Sequence, residues 1–440
     1  MGYALIGRGA AYVGVPPIYI GEIALLTGML IVISSGMGCL VATFVTLPGL
    51  LLFTLMVWVL LRTLPYVGDY GIDALRDSVV LMYGGFAFIV IVILLDDCRR
   101  VLTLLRYYGK FQSIFIPLIP FVVLLNYPTE DATALKAYIP RIPGYDIPII
   151  MVRGGEVAAH LAGACVFALV GFRKITGRWI ILVALTFVEL SIGRSATITF
   201  ALPTIFAMLM LGKLRALVRI LLAGIVIFFA AYTAETFFMD DRDRFIERSL
   251  STRQIADNVV SIVSTSSSSS DSTRLALEAT KQWRIEWWSV ILGDTIYGPH
   301  FWTGRGFGLN LADADGFQQR RNPNSPPLRS PHSVHMTILA RAGVPGLALW
   351  ILFLVSWGWM VMNAMLTARR GGQTEWAGLF LFIFCYVMSI IVDASFDVAI
   401  EGPMIGIWFW SLIGFGLGAA MVYRAVPMPS REEFYAGAGH

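Results

Sequence analysis

The chain repeats one feature: apolar runs of roughly 20 residues, such as Leu47–Leu61, separated by short polar links. A helix of that length spans a hydrocarbon core of about 30 Å, and within a bilayer only helices and closed barrels satisfy their own backbone. Composition agrees. Charged residues make up 14% of the 440 residues and mean hydropathy is +0.72, where a soluble chain carries about a quarter charged residues. The expected fold class is all-α: a polytopic helical bundle with one large extramembrane insertion.

Eleven spans are expected, at 18–38, 42–62, 77–95, 112–127, 155–172, 179–192, 195–211, 216–238, 336–363, 376–399 and 403–424. A twelfth segment over Ala4–Pro17 is an alternative, weakened by Pro16-Pro17 and its glycines. Excess Lys and Arg in short loops marks the cytoplasmic side. The loops carrying Arg99/Arg100/Arg106/Lys110, Arg173/Lys174/Arg178, Lys213/Arg215/Arg219 and Arg369-Arg370 fall on one side under this plan. The C-terminus is then cytoplasmic and the insertion external. The chain divides into N-terminal membrane helices (1–239), a large outer loop (240–331), C-terminal membrane helices (332–424) and a tail (425–440).

A net charge of +4, spread over these loops, gives no nucleic-acid stripe. Cys39, Cys98, Cys165 and Cys385 have neither disulfide-framework nor metal-ligand spacing. No cleavable signal is expected.

The loop holds equal numbers of acidic and basic residues. Ser264–Ser270 reads as a linker, and Thr273–Leu292, with Trp283, Trp287 and Trp288, as an amphipathic helix suited to the bilayer surface. Residues 298–331, rich in Gly, Pro and Asn, read as an ordered loop.

Four groups of residues carry candidate chemistry. Arg194 sits in a very short turn between two spans, where a guanidinium needs a counter-charge, an anionic ligand or a snorkelling path to water. Arg284 lies among the tryptophans and could grip a phosphate bidentately or remain a solvated charge. Ser330-Pro331-His332 reads as an N-cap, a first-position proline and a first-turn histidine, with His335 on the same face at i+3. A histidine there would stay neutral and accept a proton; hydrogen bonding at the helix start is the structural alternative. Asp393, Asp397 and Glu401, spaced by four, should form one carboxylate stripe that pairs with arginine or faces a wet cavity. Gly304-Arg-Gly-Phe-Gly308 lacks the strand and helix context of a nucleotide loop and reads as a turn of close backbone approach. Ala342-Gly-Val-Pro-Gly346 should kink the following span, its freed carbonyls satisfied by neighbours.

The run from His332 through Gly343-Val-Pro-Gly346, preceded by Gly304–Gly308, by Arg284 and by Gly193-Arg194-Ser195, resembles the signature of the O-antigen ligase and polymerase superfamily. The ordered set matches over about residues 180–365. Ser333 stands where that family usually has Asn, Arg341 where an acidic residue is common, and His335 is not a general feature. The resemblance implies a metal-independent, cofactor-free glycosyltransferase with a GT-C-like helical fold. It would take a glycan from undecaprenyl diphosphate to an acceptor: lipid A–core oligosaccharide for a ligase, a lipid-linked repeat unit for a polymerase, with exopolysaccharide synthesis also open. His332 would be the general base and Arg194 and Arg284 the diphosphate ligands, supported by His335, Asp393, Asp397 and Glu401. The competing class is a transporter or flippase, which predicts mid-bilayer charges, discontinuous helices and inverted repeats. No repeat is visible, and the polar candidates gather at the outer boundary.

Overall fold

The structure, a computed structural model, describes residues 1–16, 18–126, 139–143, 148–191, 193–238, 272–318 and 328–425. The Ser264–Ser270 run and the tail beyond 425 lie outside them. The elements in chain order are α1 (Gly2–Leu5), α2 (Arg8–Ala11), a hairpin of β1 (Gly14–Val15) and β2 (Ile18–Tyr19), α3 (Ile20–Ser35), α4 (Met37–Thr43) and α5 (Leu47–Thr63). Then come α6 (Val67–Tyr70), α7 (Ile72–Met82), α8 (Gly85–Asp96), α9 (Arg100–Leu125), α10 (Gly154–Leu169), α11 (Gly177–Leu190), α12 (Arg194–Met210) and α13 (Leu214–Phe238). The last five are α14 (Ser272–Ile296), α15 (Leu311–Ala314), α16 (Val334–Arg370), α17 (Thr374–Phe396) and α18 (Pro403–Ala425).

The protein is a polytopic helical membrane protein. Each of the eleven expected runs is helical, but fewer helices are full spans. Six among the described residues are long and apolar enough to cross a bilayer, or up to eight if each bent pair counts as one. The pair α7 and α8 bends by 40° at Gly84-Gly85, where an added Cβ would strike Met56 Sδ at 2.9 Å and Leu25 Cδ1 at 2.8 Å. Residues 4–16 add no crossing: two single-turn helices and the hairpin replace it, as the glycines and prolines there require.

α16, α17 and α18 form the centre. α16 packs on α5 and α17, α18 runs along α8, and α10 lies against α12 and α17. Trp350, Phe353, Phe409 and Trp410 are fully buried among them. Two of the buried indoles donate to backbone, Trp410 to Val80 O at 3.1 Å and Trp357 to Ile413 O at 3.0 Å. By contrast α13 is nearly unburied, as an apolar helix facing lipid tails would be.

The expected amphipathic helix exists as α14, with a different orientation. Its tryptophans face protein: Trp287 is fully buried with Ile291, Leu311 and Leu339, and Trp288 Nε1 donates to Pro331 O at 2.8 Å. Burial against α16 removes more apolar surface from water than half-immersion at an interface, so tertiary packing wins.

The kink in α16 falls at Gly343, with φ 73 and ψ −175. The expectation that neighbours satisfy the freed carbonyls holds in detail. Arg305 N–H donates to Ala340 O at 2.8 Å, Gly306 N–H to Arg341 O at 3.0 Å, and Trp58 Nε1 to Ala342 O at 2.9 Å. The Gly304–Gly308 turn therefore approaches a helix, with φ of +61, +79 and +108 at its three glycines. At Gly306 a Cβ would collide with the Tyr66 ring, and at Gly304 with the Arg341 carbonyl. The same region is clamped by ion pairs. Arg341, 2% exposed, contacts Asp77 at 3.0 Å, Arg329 contacts Asp77 at 2.8 Å and Asp73 at 3.1 Å, and Arg305 contacts Asp315 at 2.5 Å.

Candidate active site

The segment 328–333 leads into α16 differently from the expected cap. The N-cap is Ser333, not Ser330, and the helix starts at Val334. His332 stands before it with φ 55, the one non-glycine in the left-handed region among the described residues. That conformation costs about 1–3 kcal/mol and tends to be kept at functional positions; His tolerates it better than most residues. The reversal turns the imidazole off the helix, and Nδ1 meets Asp397 Oδ1 at 3.2 Å. Trp283 covers the ring edge-on, with centroids 6.3 Å apart. The side chain keeps 25% exposure, so the ring remains accessible.

His335 does not share this face. Its Nδ1 accepts from Trp350 Nε1 at 3.1 Å and its Nε2 lies 3.1 Å from Ser395 Oγ. Both ring nitrogens are engaged, which makes it a packing element that joins α16 to α17.

The expected stripe of three acids is broken, because α17 ends at Phe396. Asp397 is its C-cap, extended at φ −146 and ψ 172, and the three carboxylates diverge. Asp393 is 2% exposed and packs so closely on Gly155 that a Cβ there would collide with its carboxylate. Asp397 turns to His332. Glu401 Oε1 accepts from Ser330 Oγ at 2.7 Å and from Thr337 Oγ1 at 2.8 Å. Burial raises the Glu401 pKa, against the two hydroxyls and Arg341, which lower it.

The turn after α17 is gripped at three successive residues. Arg284 Nη1 donates to Phe396 O at 2.7 Å, His332 contacts the Asp397 carboxylate, and Arg153 Nη1 donates to Val398 O at 2.8 Å. Val398 N–H also donates to Asp397 Oδ1 at 2.7 Å. Burial works to raise the Asp397 pKa, but the His332 hydrogen bond, the Arg153 charge and the Val398 N–H outweigh it and hold it at about 2. For Arg284, burial lowers the pKa and Asp397 opposes that.

Arg194 is the first residue of α12, after the N-cap Gly193. Its charge opposes that of Arg284. A cation at a helix N-terminus opposes the dipole, whereas the exposed N–H groups there favour an anion. α10 begins beside it: the Cβ position of Gly154 lies 4.0 Å from Ala196 Cβ, and Arg153 is the N-cap of α10.

Three residues of this cluster escape sequence inspection. Arg8 carries a charge that interacts with Arg153, Glu156 and Asp397. Arg153 looks like an ordinary loop residue, and Glu156, 4% exposed, like one acid in an apolar run. The only available hint was a basic residue directly before a Gly-Gly helix start. Among the described residues no group of three or more His, Cys, Asp or Glu side chains is arranged to hold a metal ion.

Comparison with known proteins bears on residues 179–351, which match the O-antigen ligase family. That stretch contains Arg194, Arg284, His332 and the Gly343 kink. No curated protein matches the chain. The match supports a ligase- or polymerase-type membrane glycosyltransferase in general, and such proteins act on lipid-linked glycans and acceptors. The match over 179–351, set in a multi-pass helical bundle, supports the O-antigen ligase and polymerase superfamily that the sequence resembles.

Proposed function

We propose that the protein transfers a glycan from undecaprenyl diphosphate to a sugar hydroxyl of an acceptor glycolipid. The reaction takes place at the periplasmic face of the bacterial inner membrane. The observation that carries this reading is the position of His332, one residue along the 396–398 turn from the carbonyl held by Arg284. Arg194 and Arg284 bind the donor diphosphate and neutralise the charge that grows on it as it leaves. With Nδ1–H donated to Asp397, the lone pair of His332 lies on Nε2. This nitrogen takes the acceptor hydroxyl proton as the oxygen attacks the anomeric carbon. The C–O bond to the diphosphate breaks in the same displacement, its electron pair leaves with the diphosphate, and the anomeric configuration inverts. No metal or cofactor takes part, since the diphosphate is already a good leaving group.

Asp397 orients the imidazole and stabilises it once protonated. Asp393, Glu401 and His335 position the turn and the start of α16 rather than touching substrate. The basic short loops set the cytoplasmic face, which puts the C-terminus inside and the 240–331 loop outside. The acceptor is lipid A–core in a ligase, or a second lipid-linked repeat unit in a polymerase.

Transport fits less well. Transporters use broken helices to offer free backbone groups to a substrate, but the carbonyls of Ala340, Arg341 and Ala342 are all taken by protein donors. The deciding experiment uses purified protein in liposomes with polyprenyl-diphosphate-linked glycan and acceptor. His332→Ala should lose at least 10²-fold in turnover while still binding donor, and Arg194→Ala and Arg284→Ala should weaken donor binding. Near wild-type transfer by His332→Ala would remove the base. Donor crossing the bilayer without acceptor modification would favour a flippase.

A further inference from the structure

Two guanidiniums in the site, those of Arg8 and Arg153, have no part in the transfer just described. Each faces the charge of the other, with the Glu156 and Asp397 carboxylates nearby. Arg153 caps the 16-residue α10 at its N-terminus, facing the positive end of the helix dipole. That helix opens with Gly154-Gly155, and Gly154 is exposed, so its backbone N–H is approachable. Such an end binds phosphate groups well.

Arg8 is held beside it by backbone. Its N–H donates to Met151 O at 2.9 Å, and Met151 N–H donates to Ile6 O at 3.0 Å. Gly7 and Gly9 permit this, because a Cβ at either would collide with the carbonyls of Met151 and Ile149. The Arg8 guanidinium is half-buried, yet it makes no hydrogen bond or ion pair among the described residues. It is repelled by Arg153 and drawn to Glu156 and Asp397. Arg153 spends Nη1 on Val398 O.

The four arginines fall into two pairs, Arg194 repelling Arg284 and Arg8 repelling Arg153. The carbonyls gripped by Arg284 and Arg153 are two residues apart, roughly 7 Å in extended chain, and the His332 contact falls on the residue between them. We infer that Arg8, Arg153 and the Gly154 end of α10 form a second phosphate subsite, on the Val398 side of His332, which holds a phosphate carried by the acceptor glycan. This rests on the reading that Arg194 and Arg284 hold the donor diphosphate. The acceptor hydroxyl must then reach His332 from the side the donor leaves open, and a phosphate on that acceptor meets Arg8 and Arg153. A repeat unit linked to its own polyprenyl diphosphate and a phosphorylated core glycolipid present the same chemistry.

The test uses full-length protein in liposomes with one polyprenyl-diphosphate-linked donor and three acceptors. These are a polyprenyl-diphosphate-linked repeat unit, a phosphorylated core glycolipid, and the same repeat unit as an alkyl glycoside without phosphate. Wild type should prefer a phosphate-bearing acceptor over the alkyl glycoside, and the one it prefers identifies the source. Arg8→Gln should raise KM for that acceptor tenfold or more, shift donor KM less than twofold, and narrow the preference over the alkyl glycoside. Arg8→Lys should recover part of the loss. The subsite is overturned by a rise in donor KM instead, by equal losses with and without acceptor phosphate, or by a wild type that transfers with no phosphate preference. That last result needs no variant to fold, and it leaves the transferase reading intact. Absence of wild-type transfer to every acceptor sinks both.

Discussion

His332 Nδ1 lies 3.2 Å from Asp397 Oδ1, and the contact exists because the backbone is non-helical at both residues. His332 has φ 55 in the lead-in to α16, and Asp397 is extended at the end of α17. A carboxylate on one imidazole nitrogen fixes the tautomer that leaves the other free to accept a proton, the logic of a base–orienter pair.

Asp397→Asn should keep the shape of this contact and lose its charge. Turnover is expected to fall about 10²–10⁴-fold with donor binding retained, by analogy with orienting carboxylates elsewhere; steady-state kinetics alongside a lipid-binding assay would show it. Full turnover in the variant would leave Asp397 a purely structural cap.

The same carboxylate gives a pH signature. Its pKa is lower in the fold, about 2, than the ordinary 3.8. Its contribution to stability is therefore complete above about pH 4 and lost as pH falls towards 2. Thermal-unfolding midpoints of wild type and Asp397→Asn should differ by a constant amount at pH 5–7 and draw together below pH 4. A gap that does not change with pH would contradict the assignment.

The two neighbouring histidines should separate cleanly. His335→Ala removes an acceptor from the buried Trp350 indole and a partner from Ser395, so a destabilisation of about 1–3 kcal/mol is expected. His332→Ala should leave the midpoint of thermal unfolding within a few degrees of wild type while abolishing transfer. Similar stability losses in both would mean that His332 is also structural.

Gly343→Ala should be far worse than Gly316→Ala. Both glycines have positive φ, 73 and 76, so each substitution carries a backbone penalty of about 1 kcal/mol. Only at Gly343 would the new Cβ also press on Phe301 O at 2.7 Å and Gly304 N at 2.8 Å, while Gly316 has open space around it. Expression and melting of the two variants side by side test this; equal effects would show that the close approach of the glycine turn to α16 is unimportant.

Arg341→Met should destabilise by about 3–5 kcal/mol, since it leaves Asp77 short of one of its buried partners. Adding Asp77→Asn should cost less than the sum of the single changes, because the two residues touch. Strict additivity in a double-mutant cycle of unfolding free energies would exclude coupling through this ion pair.

How much of this was legible beforehand follows from which forces are local. Hydropathy depends on the solvation of each segment, so runs of about 20 apolar residues determined a helical membrane bundle without reference to any partner. Glycines carry their conformational meaning with them, which made the Gly304–Gly308 turn and the Gly343 kink readable. His332, Arg194 and Arg284 stood out for a related reason: polar residues at a membrane boundary are expensive enough to need a cause. The partners were not readable. Arg284 meets Phe396 across 112 positions, and Arg153 meets Val398 across 245. Packing of α10, α12, α14 and α17 decides such contacts, and no periodicity encodes them. Nor could spacing by four keep Asp393, Asp397 and Glu401 on one stripe once α17 had ended. Where a helix stops, and whether a histidine goes left-handed before the next one starts, is settled by what the surrounding elements can satisfy, and that is a property of the assembled fold.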